Sequence, residues 1–394
     1  MTTRIVLLGA TGSVGSAVVD VILRHPDRFH VEAIVSAGSD VCALASVARR
    51  TGARFVAVAN PQKAETLARA LADAGADAAS GAGEAAIDEA VDRDADLVVA
   101  AIAGTAGLRV THRAIRPGRR IALANKETLV SAGDAFMRDA RAAGVGILPL
   151  DSEHNALWQA MGDACSEDIE ELVLTASGGP FRKWAAEAIA AATPEEALRH
   201  PNYSMGAKIS IDSASMMNKG LELIEAHHLF GVDGARLRVL VHPQQAVHGL
   251  VGFRDGSVVA GLAAPDMRIP AAHCLGLPGR LNTTLPRLDL AAFGRLDFEP
   301  PDLARFPALG LAFEALAEGG GMPTVLNAAN EVAVGAFLSR RIGFGRIAAL
   351  VRDACEAFAG RVSHAPDSVP EALALDEEAR AWTHAQVTRG MAVA

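Results

Sequence analysis

Residues 4–15 read Arg-Ile-Val-Leu-Leu-Gly-Ala-Thr-Gly-Ser-Val-Gly, a short apolar run that ends in a glycine-rich turn. Apolar residues then recur at helical spacing as far as His25-Pro26, and residues 31–35 form a second apolar run. Strand, glycine turn, helix and strand is the order typical of a dinucleotide site, because the glycines let the backbone approach a pyrophosphate at the helix N-terminus. A tight turn without a ligand is the alternative interpretation.

Strand-like runs continue at residues 55–59, 97–101, 120–124 and 145–150, and alanine-rich helical stretches separate them. This alternation predicts an α/β fold with a mainly parallel sheet covered on both faces, a Rossmann-like domain over residues 1–150. Ligands of such sheets gather at the carboxyl ends of the strands. Two of these ends carry polar clusters, Asn125-Lys126-Glu127 and Asp151-Ser152-Glu153.

The end of the second strand indicates which nicotinamide cofactor is used. Enzymes that bind NAD usually place an acid there to hold the ribose hydroxyls. Here the strand runs into Ser36-Ala37-Gly38-Ser39-Asp40, with no acid at its immediate tip but with Asp40 close by. Small residues and backbone donors could accept a 2′-phosphate, which favours NADP over NAD. The preference is not a strict one, because no arginine or lysine is near in the sequence and Asp40 is close.

Asp151 and Glu153 are two residues apart, so in an extended segment their side chains point the same way. Two carboxylates held together repel each other unless one is protonated or a cation lies between them. Together with Glu222 they would form an oxygen site suited to Mg²⁺ or Mn²⁺. The alternative for Asp151 and Glu153 is a solvated pair of loop acids. Lys126 is either a salt-bridge partner at the edge of the core or a cation that reaches the substrate.

A further concentration of polar residues lies in the stretch 200–222, which includes His200, Ser213, Asn218, Lys219 and Glu222. We expect a helix to begin here, with Ser213 or Ser215 as its N-cap. Asn218 and Glu222 would then share one face of that helix. A helix N-terminus beside hydroxyls, an amide and an ammonium suits a phosphate group, and Ser177-Gly178-Gly179 offers another phosphate contact. A capped surface helix and an ordinary serine-glycine turn are the alternatives.

Composition argues against several classes of protein. The 394 residues carry a formal net charge of −9 with acids and bases interspersed, which argues against non-specific binding to nucleic acid or to a membrane surface. The four cysteines are isolated from one another and from histidine, which argues against a disulfide framework or a structural zinc. The longest apolar stretch, near residues 97–108, is interrupted by glycines and cannot span a bilayer. We expect a cytoplasmic protein.

The rest of the sequence predicts two further domains and a linker. Strand-like runs lie at 170–176, 241–247, 250–253 and 258–262, with an Asp255-Gly256 hairpin before the last of them. A proline-rich stretch near 278–306 lacks periodicity, and helical patterns follow at 308–318, 324–340, 344–359 and 370–388. The predicted organisation is a cofactor domain over 1–150, a catalytic α+β domain over 151–277, a linker over 278–305 and a helical domain over 306–394.

Together these motifs resemble one family, the 1-deoxy-D-xylulose 5-phosphate reductoisomerases of the non-mevalonate isoprenoid pathway. The resemblance covers almost the whole chain and rests on an ordered set of motifs: Gly9 to Gly15, Ala124 to Glu127, Asp151 to Asn155, Ser177 to Phe181, His200 to Glu222, Pro265 to Arg268 and Leu326 to Glu331. It implies a homodimer that rearranges and reduces 1-deoxy-D-xylulose 5-phosphate to 2-C-methyl-D-erythritol 4-phosphate. NADPH and a divalent metal, Mg²⁺ or Mn²⁺, are the implied cofactors.

The resemblance also implies roles for particular residues of this chain. The implied metal ligands are Asp151, Glu153 and Glu222, which with Lys126 form the implied catalytic set. The implied phosphate contacts are Ser177, Ser213, Asn218 and Lys219. Other implied substrate contacts are His200, Lys126, Ser152, Glu153 and Glu222. The implied cofactor contacts are Thr11, Gly12, Ser13, Val14, Asn125, Glu127 and Gly206, beside the turn of Gly38, Ser39 and Asp40.

Two departures from the family pattern lead to separate predictions. Tyr203 stands where the family's His-Pro-Asn-Trp motif has tryptophan, and it belongs to a loop around 203–208 that would close over the site. The packing of this lid and the affinity for phosphonate hydroxamate inhibitors are therefore expected to differ. Gly38-Ser39-Asp40 replaces a common Gly-x-Asn whose middle residue is often basic, which predicts a smaller preference for NADPH over NADH.

Two other classes fit parts of the sequence. Aspartate-semialdehyde and homoserine dehydrogenases share the glycine turn, but the former need a nucleophilic cysteine, and Cys165 has no obvious base beside it. A redox-sensing NADP-binding regulator would not need three carboxylates and a phosphate cluster. Metal-independent cofactor binding without turnover would point to such a regulator.

Overall fold

The computed structural model describes residues 2–199 and 206–393. Its strands are β1 Thr3–Leu8, β2 Phe29–Ser36, β3 Phe55–Val58, β4 Ala79–Ala82, β5 Leu97–Ala100, β6 Arg120–Leu123, β7 Gly146–Pro149, β8 Ile169–Ala176, β9 Leu237–Val241, β10 Val247–Phe253 and β11 Val258–Leu262. Its helices are α1 Ser13–Arg24, α2 Val41–Thr51, α3 Ala64–Ala74, α4 Glu84–Asp92, α5 Leu108–Arg113, α6 Glu127–Ala142, α7 Ser152–Met161, α8 Ala186–Ala190, α9 Pro194–Ala197, α10 Ala207–Ser215, α11 Met217–Phe230, α12 Arg268–Gly276, α13 Leu290–Phe293, α14 Pro307–Glu318, α15 Met322–Leu338, α16 Gly345–Phe358 and α17 Val369–Val393.

The chain divides into two compact units. The first is formed by the residues up to Asn125 together with Arg138–Ser152 and Asp266–Leu285. The second is formed by Lys126–Met137, Glu153–Pro265 and the residues from Pro286 onward. The division into four segments made from the sequence stays a prediction.

The first unit is built on a seven-stranded sheet with the order β4-β3-β2-β1-β5-β6-β7. Every neighbouring pair is parallel, and residues Ile5 to Leu8 of the central β1 are fully buried, as expected for a strand covered on both faces. The strand order reverses between β1 and β5, which is where such sheets bind ligands. The predicted Rossmann-like α/β fold is therefore confirmed. The sequence interpretation missed β4, whose Ala-Ser-Gly-Ala contains no β-branched or aromatic residue.

The second unit contains a four-stranded sheet with the order β11-β10-β8-β9. β10 is antiparallel to β8 and to β11, whereas β8 and β9 are parallel. The predicted hairpin at Asp255-Gly256 is confirmed, and Gly256 has a φ of 84°. The predicted strand over 241–247 is wrong. β9 already ends at Val241, and Pro243 and Gln245, whose φ is 50°, turn the chain before β10 begins.

The predicted helix start near Ser213 is also wrong. Ser213 lies inside α10, and Met216 interrupts the helical path with a φ of 62°, so that α11 begins at Met217. Ser215 still contributes, because its hydroxyl accepts a hydrogen bond from the Met217 amide at 3.3 Å. A methionine in the left-handed region is uncommon, and the helical periodicity on either side of it gives no sign of the break.

The C-terminal part of the second unit is helical, as predicted. α15 is buried along most of its length and packs against α16 and α17. Within the predicted linker, the structure has the short α13 and an isolated bridge between Val241 and Glu299. None of the helices in the described residues combines the length and the apolar character needed to cross a membrane.

Candidate active site

Charged residues of α7 and α11 form a buried cluster in the second unit, together with Lys126 at the start of α6. Lys126 donates hydrogen bonds from Nζ to Glu222 Oε1 at 2.8 Å and to Asn218 Oδ1 at 3.0 Å. Asn218 in turn donates from Nδ2 to Glu222, which lies one helical turn further along α11. The prediction that Asn218 and Glu222 share one face of a helix is therefore confirmed, and Lys126 contacts both of them on that face.

Lys219 links the two carboxylates of this cluster. Its ammonium donates to Glu153 Oε1 at 2.8 Å and also contacts Glu222. Burial on its own would lower the pKa of Lys219, but the two carboxylates outweigh burial and raise that pKa. Lys219 therefore stays positively charged at neutral pH although only 4% of its side chain is exposed. Loss of any one of these charges would leave another buried and uncompensated.

A histidine holds α7 against α11. His154 Nε2 donates to the backbone carbonyl of Glu222 at 2.8 Å, and its Nδ1 lies 3.3 Å from Glu225 Oε2. Both side chains are fully buried. Because His154 follows Glu153 directly, these contacts fix the separation of Glu153 and Glu222. The sequence interpretation missed this pair, although the adjacency of His154 to the acidic motif was a usable signal.

Carboxylate oxygens converge beside this cluster. Glu153 and Glu222 each offer an oxygen within 4.8 Å of the other, and Asp151 offers one within the same distance of Glu153. Asp151 follows β7, and its Oδ1 accepts a hydrogen bond at 2.9 Å from the amide of Ser152, the first residue of α7. Hard oxygen donors of this kind suit Mg²⁺ or Mn²⁺.

The Ser177 turn lies beside the end of α10. Ser177 Oγ accepts a hydrogen bond from the Gly179 amide at 3.1 Å. A Cβ on Gly179 would lie 2.7 Å from the carbonyl oxygen of Ser213, so the approach requires glycine. Phe181, fully buried and packed edge-on against Phe344 with ring centroids 5.1 Å apart, anchors the turn in the core. The structure thus brings together two segments that were predicted separately to contact phosphate.

A second buried network starts at Lys208 in the first turn of α10. Lys208 Nζ donates to Glu127 Oε1 at 2.6 Å and to Asp212 Oδ2 at 2.8 Å. Asn330 Nδ2 of α15 donates to Asp212 Oδ1 at 2.8 Å. Burial would raise the pKa of Glu127, but Lys208, a backbone hydrogen bond and the charge of Lys126 together outweigh burial and hold that pKa below its usual range. At Asp212 burial outweighs Lys208 and raises the pKa.

Glu127 has a protein partner in this network that its predicted role as a cofactor contact did not include. Glu127 was predicted to line the cofactor, and the structure pairs its carboxylate with Lys208, which the sequence interpretation did not identify as a partner. Gly206, also predicted to line the cofactor, is exposed and is the N-cap of α10. His200 and Tyr203, predicted at the substrate and in the lid, lie outside the described residues.

In the first unit, the glycine turn connects β1 to α1 with a geometry that suits an anion. Gly9 has a φ of 90°, and the Gly9 and Ala10 amides both donate to the Val35 carbonyl of β2, at 2.9 and 3.0 Å. α1 begins after Gly12 with no side-chain cap and no acid in its first turn. These features favour a negative group at the helix N-terminus. The residues of the turn predicted to contact the cofactor are exposed or partly exposed: Thr11, Gly12, Ser13 and Val14.

Two other predicted cofactor residues of the first unit have structural partners. Asn125 is buried at the end of β6 and donates from Nδ2 to the carbonyls of Ile102 and Gly104, which shapes the loop after β5. Asp40 follows the exposed Ser39 and caps α2, because its Oδ1 accepts a hydrogen bond from the Ala43 amide at 2.8 Å.

Comparison with known proteins agrees with this geometry. Three family profiles match the chain: 1-deoxy-D-xylulose 5-phosphate reductoisomerase over residues 5–133, the C-terminal domain of that enzyme over 147–230, and the DXP reductoisomerase C-terminal domain over 262–382. The 1-deoxy-D-xylulose 5-phosphate reductoisomerase of Rhodopseudomonas palustris strain TIE-1 is 54% identical over 375 residues, which cover 95% of this chain and 91% of that protein.

Solved structures are similar over the same length. The reductoisomerase from Zymomonas mobilis in complex with NADPH is 44% identical, with a TM-score of 0.90 over 98% of this chain and 99% of that chain. A DOX-P reductoisomerase in complex with NADPH, fosmidomycin and magnesium is 39% identical, with a TM-score of 0.92 over 98% of each chain. With these identities over nearly its whole length, the chain is an oxidoreductase and isomerase that belongs to the 1-deoxy-D-xylulose 5-phosphate reductoisomerase family.

Proposed function

We propose that this chain uses NADPH and a divalent metal to rearrange and reduce 1-deoxy-D-xylulose 5-phosphate to 2-C-methyl-D-erythritol 4-phosphate. The observation that carries the proposal is the buried cluster of Lys126, Glu153, Asn218, Lys219 and Glu222. It combines oxygen donors for a cation with ammonium groups for an anionic sugar phosphate. A regulator that only binds a dinucleotide has no use for such a cluster.

Asp151, Glu153 and Glu222 are the proposed metal ligands. Glu153 and Glu222 already bind one positive group, the ammonium of Lys219. This supports the proposal that the carboxylates can also bind a divalent ion. Such an ion, when bound, polarises the keto and hydroxyl oxygens of the substrate as a Lewis acid. The contribution of His154 is to keep the two glutamates in place before the ligands arrive.

The substrate phosphate is proposed to lie at the start of α11. Ser177, Ser213, Asn218 and Lys219 would bind it, with the amides of the first helical turn contributing the positive end of the helix dipole. Lys126 and Ser152 would then face the hydroxyl and keto end, and His200 completes the predicted set. Binding the phosphate away from the reacting carbons supplies orientation rather than chemistry.

NADPH is proposed to bind along the glycine turn of the first unit. The pyrophosphate would lie at the N-terminus of α1, where Gly12 leaves the first-turn amides without a side-chain cap. Thr11, Ser13 and Val14 would line it. NADPH supplies the hydride that, with one proton, reduces the rearranged aldehyde. Asn125 would act by shaping the neighbouring loop, and Glu127 and Gly206 remain proposed cofactor contacts.

The test is the decay of NADPH absorbance when the purified protein is mixed with 1-deoxy-D-xylulose 5-phosphate. Turnover with Mg²⁺ or Mn²⁺ that a chelator abolishes, and that the added metal restores, is the expected result. Folded protein that binds NADPH but gives no turnover with either metal would contradict the proposal and favour a dinucleotide-binding regulator.

We also propose that the chain forms a homodimer through β11. This strand is at one edge of its sheet and exposes three large apolar residues, Val258, Val259 and Leu262, at 61%, 43% and 41%. An exposed apolar edge strand favours pairing with another chain. Analytical ultracentrifugation should give twice the chain mass for the wild type and a smaller species for Val259→Lys. A monomeric wild type at micromolar concentration would contradict this proposal.

We propose a cytoplasmic location, because all four cysteines carry free thiols, as is usual in a reducing compartment. The proposed partners are the phosphorylated sugar, the cofactor and a second copy of the chain. Neither nucleic acid nor a membrane is proposed as a partner, because the net charge is −9 and no basic block is present.

A further inference from the structure

The turn that follows β2 lacks a cation of its own, although the proposed cofactor carries a 2′-phosphate at that end. Residues 29–48 contain no lysine or arginine. In the turn itself Gly38 is buried with a φ of 89°, and its amide donates to Ser36 Oγ at 3.2 Å. Ser39 and Asp40 are exposed. A dianionic group would therefore meet a hydroxyl and one carboxylate here, which is an unfavourable combination without a positive charge.

The Asp40 carboxylate is directed onto its own helix. Its Oδ1 accepts a hydrogen bond from the Ala43 amide at 2.8 Å and caps α2. In NAD enzymes the acid at the end of the second strand holds the ribose hydroxyls. Because the capping interaction orients Asp40 toward α2, it is poorly placed to serve as such an acid. The turn is thus built neither as a typical NAD site nor, by itself, as an NADP site.

Lys63 approaches the same turn from the end of β3. β3 pairs in parallel with β2, and the Ala59 amide continues the pairing by donating to the Ser36 carbonyl at 3.0 Å. The chain then makes a short 3₁₀ turn, Pro61–Lys63, which is capped by Asn60. This brings the Lys63 side chain back over Gly38, so that its Cγ lies 3.7 Å from the position that a Cβ on Gly38 would occupy.

Glycine at position 38 is what allows this approach. A Cβ there would lie 3.1 Å from Cβ of Val58 and in contact with the Lys63 stem, in addition to the strain of a positive φ. Lys63 is partly exposed, and within residues 2–199 and 206–393 its ammonium forms no ion pair. The cation is therefore free to bind an anion at the Gly38 turn.

We propose that Lys63 binds the 2′-phosphate of NADPH and so supplies the cofactor preference that the residues following β2 do not provide. The inference rests on the proposed binding of NADPH to the first unit. The hydroxyl of Ser39 would donate a hydrogen bond to the same phosphate. Lys63 is then a specificity-determining residue that lies in the turn after β3, and not at the end of β2, which usually provides this contact.

The test compares the direct binding of NADPH and NADH, measured by fluorescence titration of the full-length protein without substrate. Lys63→Gln should weaken NADPH binding by about tenfold or more, as expected for loss of a charge-assisted hydrogen bond. NADH binding should change by less than about twofold, since NADH lacks the phosphate. Calorimetric titration with 2′,5′-ADP and 5′-AMP should give the same contrast without the nicotinamide.

Two further variants make the result specific to the charge at position 63. Lys63→Arg should retain the preference, and Arg69→Gln, which removes an exposed charge from α3 of the same unit, should leave both affinities unchanged. Equal weakening of NADPH and NADH by Lys63→Gln, or no weakening, would overturn the inference while leaving the proposed function intact. A wild-type protein that binds neither nucleotide would overturn both.

Discussion

The candidate sites of the two units are built from different chemical groups. In the second unit, two ammonium groups and two carboxylates are buried and neutralise one another: Lys126, Lys219, Glu153 and Glu222. In the first unit, the glycine turn offers backbone amides, and the two charged residues at the Gly38 turn, Asp40 and Lys63, are at or near the surface. Buried charges interact strongly and depend on each other, whereas exposed charges are screened by water and salt. Substitutions in the two units should therefore differ greatly in the size of their effects.

The largest effect is expected from Glu222→Gln. The change removes a proposed metal ligand and replaces one acceptor of Lys126 and Lys219 with an amide that can also act as a donor. Loss of several kcal/mol of charge stabilisation corresponds to a decrease in kcat/KM of at least about 10³-fold. Steady-state NADPH oxidation with 1-deoxy-D-xylulose 5-phosphate measures it.

The matched control for Glu222→Gln is Glu187→Gln, which removes an exposed carboxylate of α8 in the same unit. It should keep nearly full activity. If Glu222→Gln retained activity within about tenfold of the wild type, a role in metal binding would be contradicted, because such a loss is smaller than that expected for a metal ligand.

A large effect on stability, one that depends on pH, is expected from Lys208→Met. The variant leaves Glu127 and Asp212 buried without their cation, which costs about 3–5 kcal/mol of the free energy of unfolding near pH 7.5. Without Lys208, burial raises the folded-state pKa of both carboxyls above the unfolded values. The folded variant then binds more protons than the unfolded chain, so that its stability falls as the pH rises.

Urea unfolding at pH 5.5 and pH 7.5 tests this expectation. The loss of stability caused by Lys208→Met should be smaller at pH 5.5, where the two carboxyls can take up protons, and larger at pH 7.5. Lys183→Met, which removes an exposed lysine of the same unit, should change stability little at either pH. An equal loss at both pH values would show that the Glu127–Lys208–Asp212 network does not control the stability through charge.

In the first unit the sharpest steric contrast is between Gly12, the N-cap of α1, and Gly15 within that helix. A Cβ on Gly15 would lie 2.1 Å from the carbonyl oxygen of Gly9, whereas a Cβ on Gly12 would lie 3.4 Å from the same atom. Gly15→Ala should therefore lower the free energy of unfolding by about 1–3 kcal/mol, since the backbone must shift. Gly12→Ala should have a much smaller effect. Chemical denaturation measures the free energy of unfolding of the two variants. Equal losses of that free energy would contradict the steric explanation.

Much of the fold and part of the site could be predicted from the sequence, for physical reasons that are visible in particular residues. The parallel sheet followed from apolar runs that are buried on both faces, such as Ile5 to Leu8. The common face of Asn218 and Glu222 followed from helical spacing. Both signals are local, because they depend on residues within one strand or one helix.

The features that were missed depend on contacts between distant segments or on unusual backbone. Lys208 meets Glu127 from 81 residues away, and no local pattern indicates that pairing. Lys63 reaches Gly38 only because β3 lies beside β2 and a short turn folds back over it. Met216 adopts a positive φ inside a stretch with good helical periodicity. Such features come from tertiary structure, so the sequence alone gave them no separate signal.

The smallest effect is expected from Asp40→Asn. This substitution tests how weakly an exposed charge of the first unit acts in comparison with the buried charges of the second. Asn is as good an N-cap as Asp, so Asp40→Asn should preserve the hydrogen bond to the Ala43 amide and leave stability unchanged within a few tenths of a kcal/mol. Removing a negative charge near the proposed phosphate contact of Lys63 should raise the NADPH over NADH ratio of kcat/KM by up to about fivefold, since exposed charges interact by at most about 1 kcal/mol. The increase should shrink in high salt, which screens an exposed charge but not a buried one. A ratio that does not rise at low salt would contradict the prediction that Asp40 lowers the preference for NADPH over NADH.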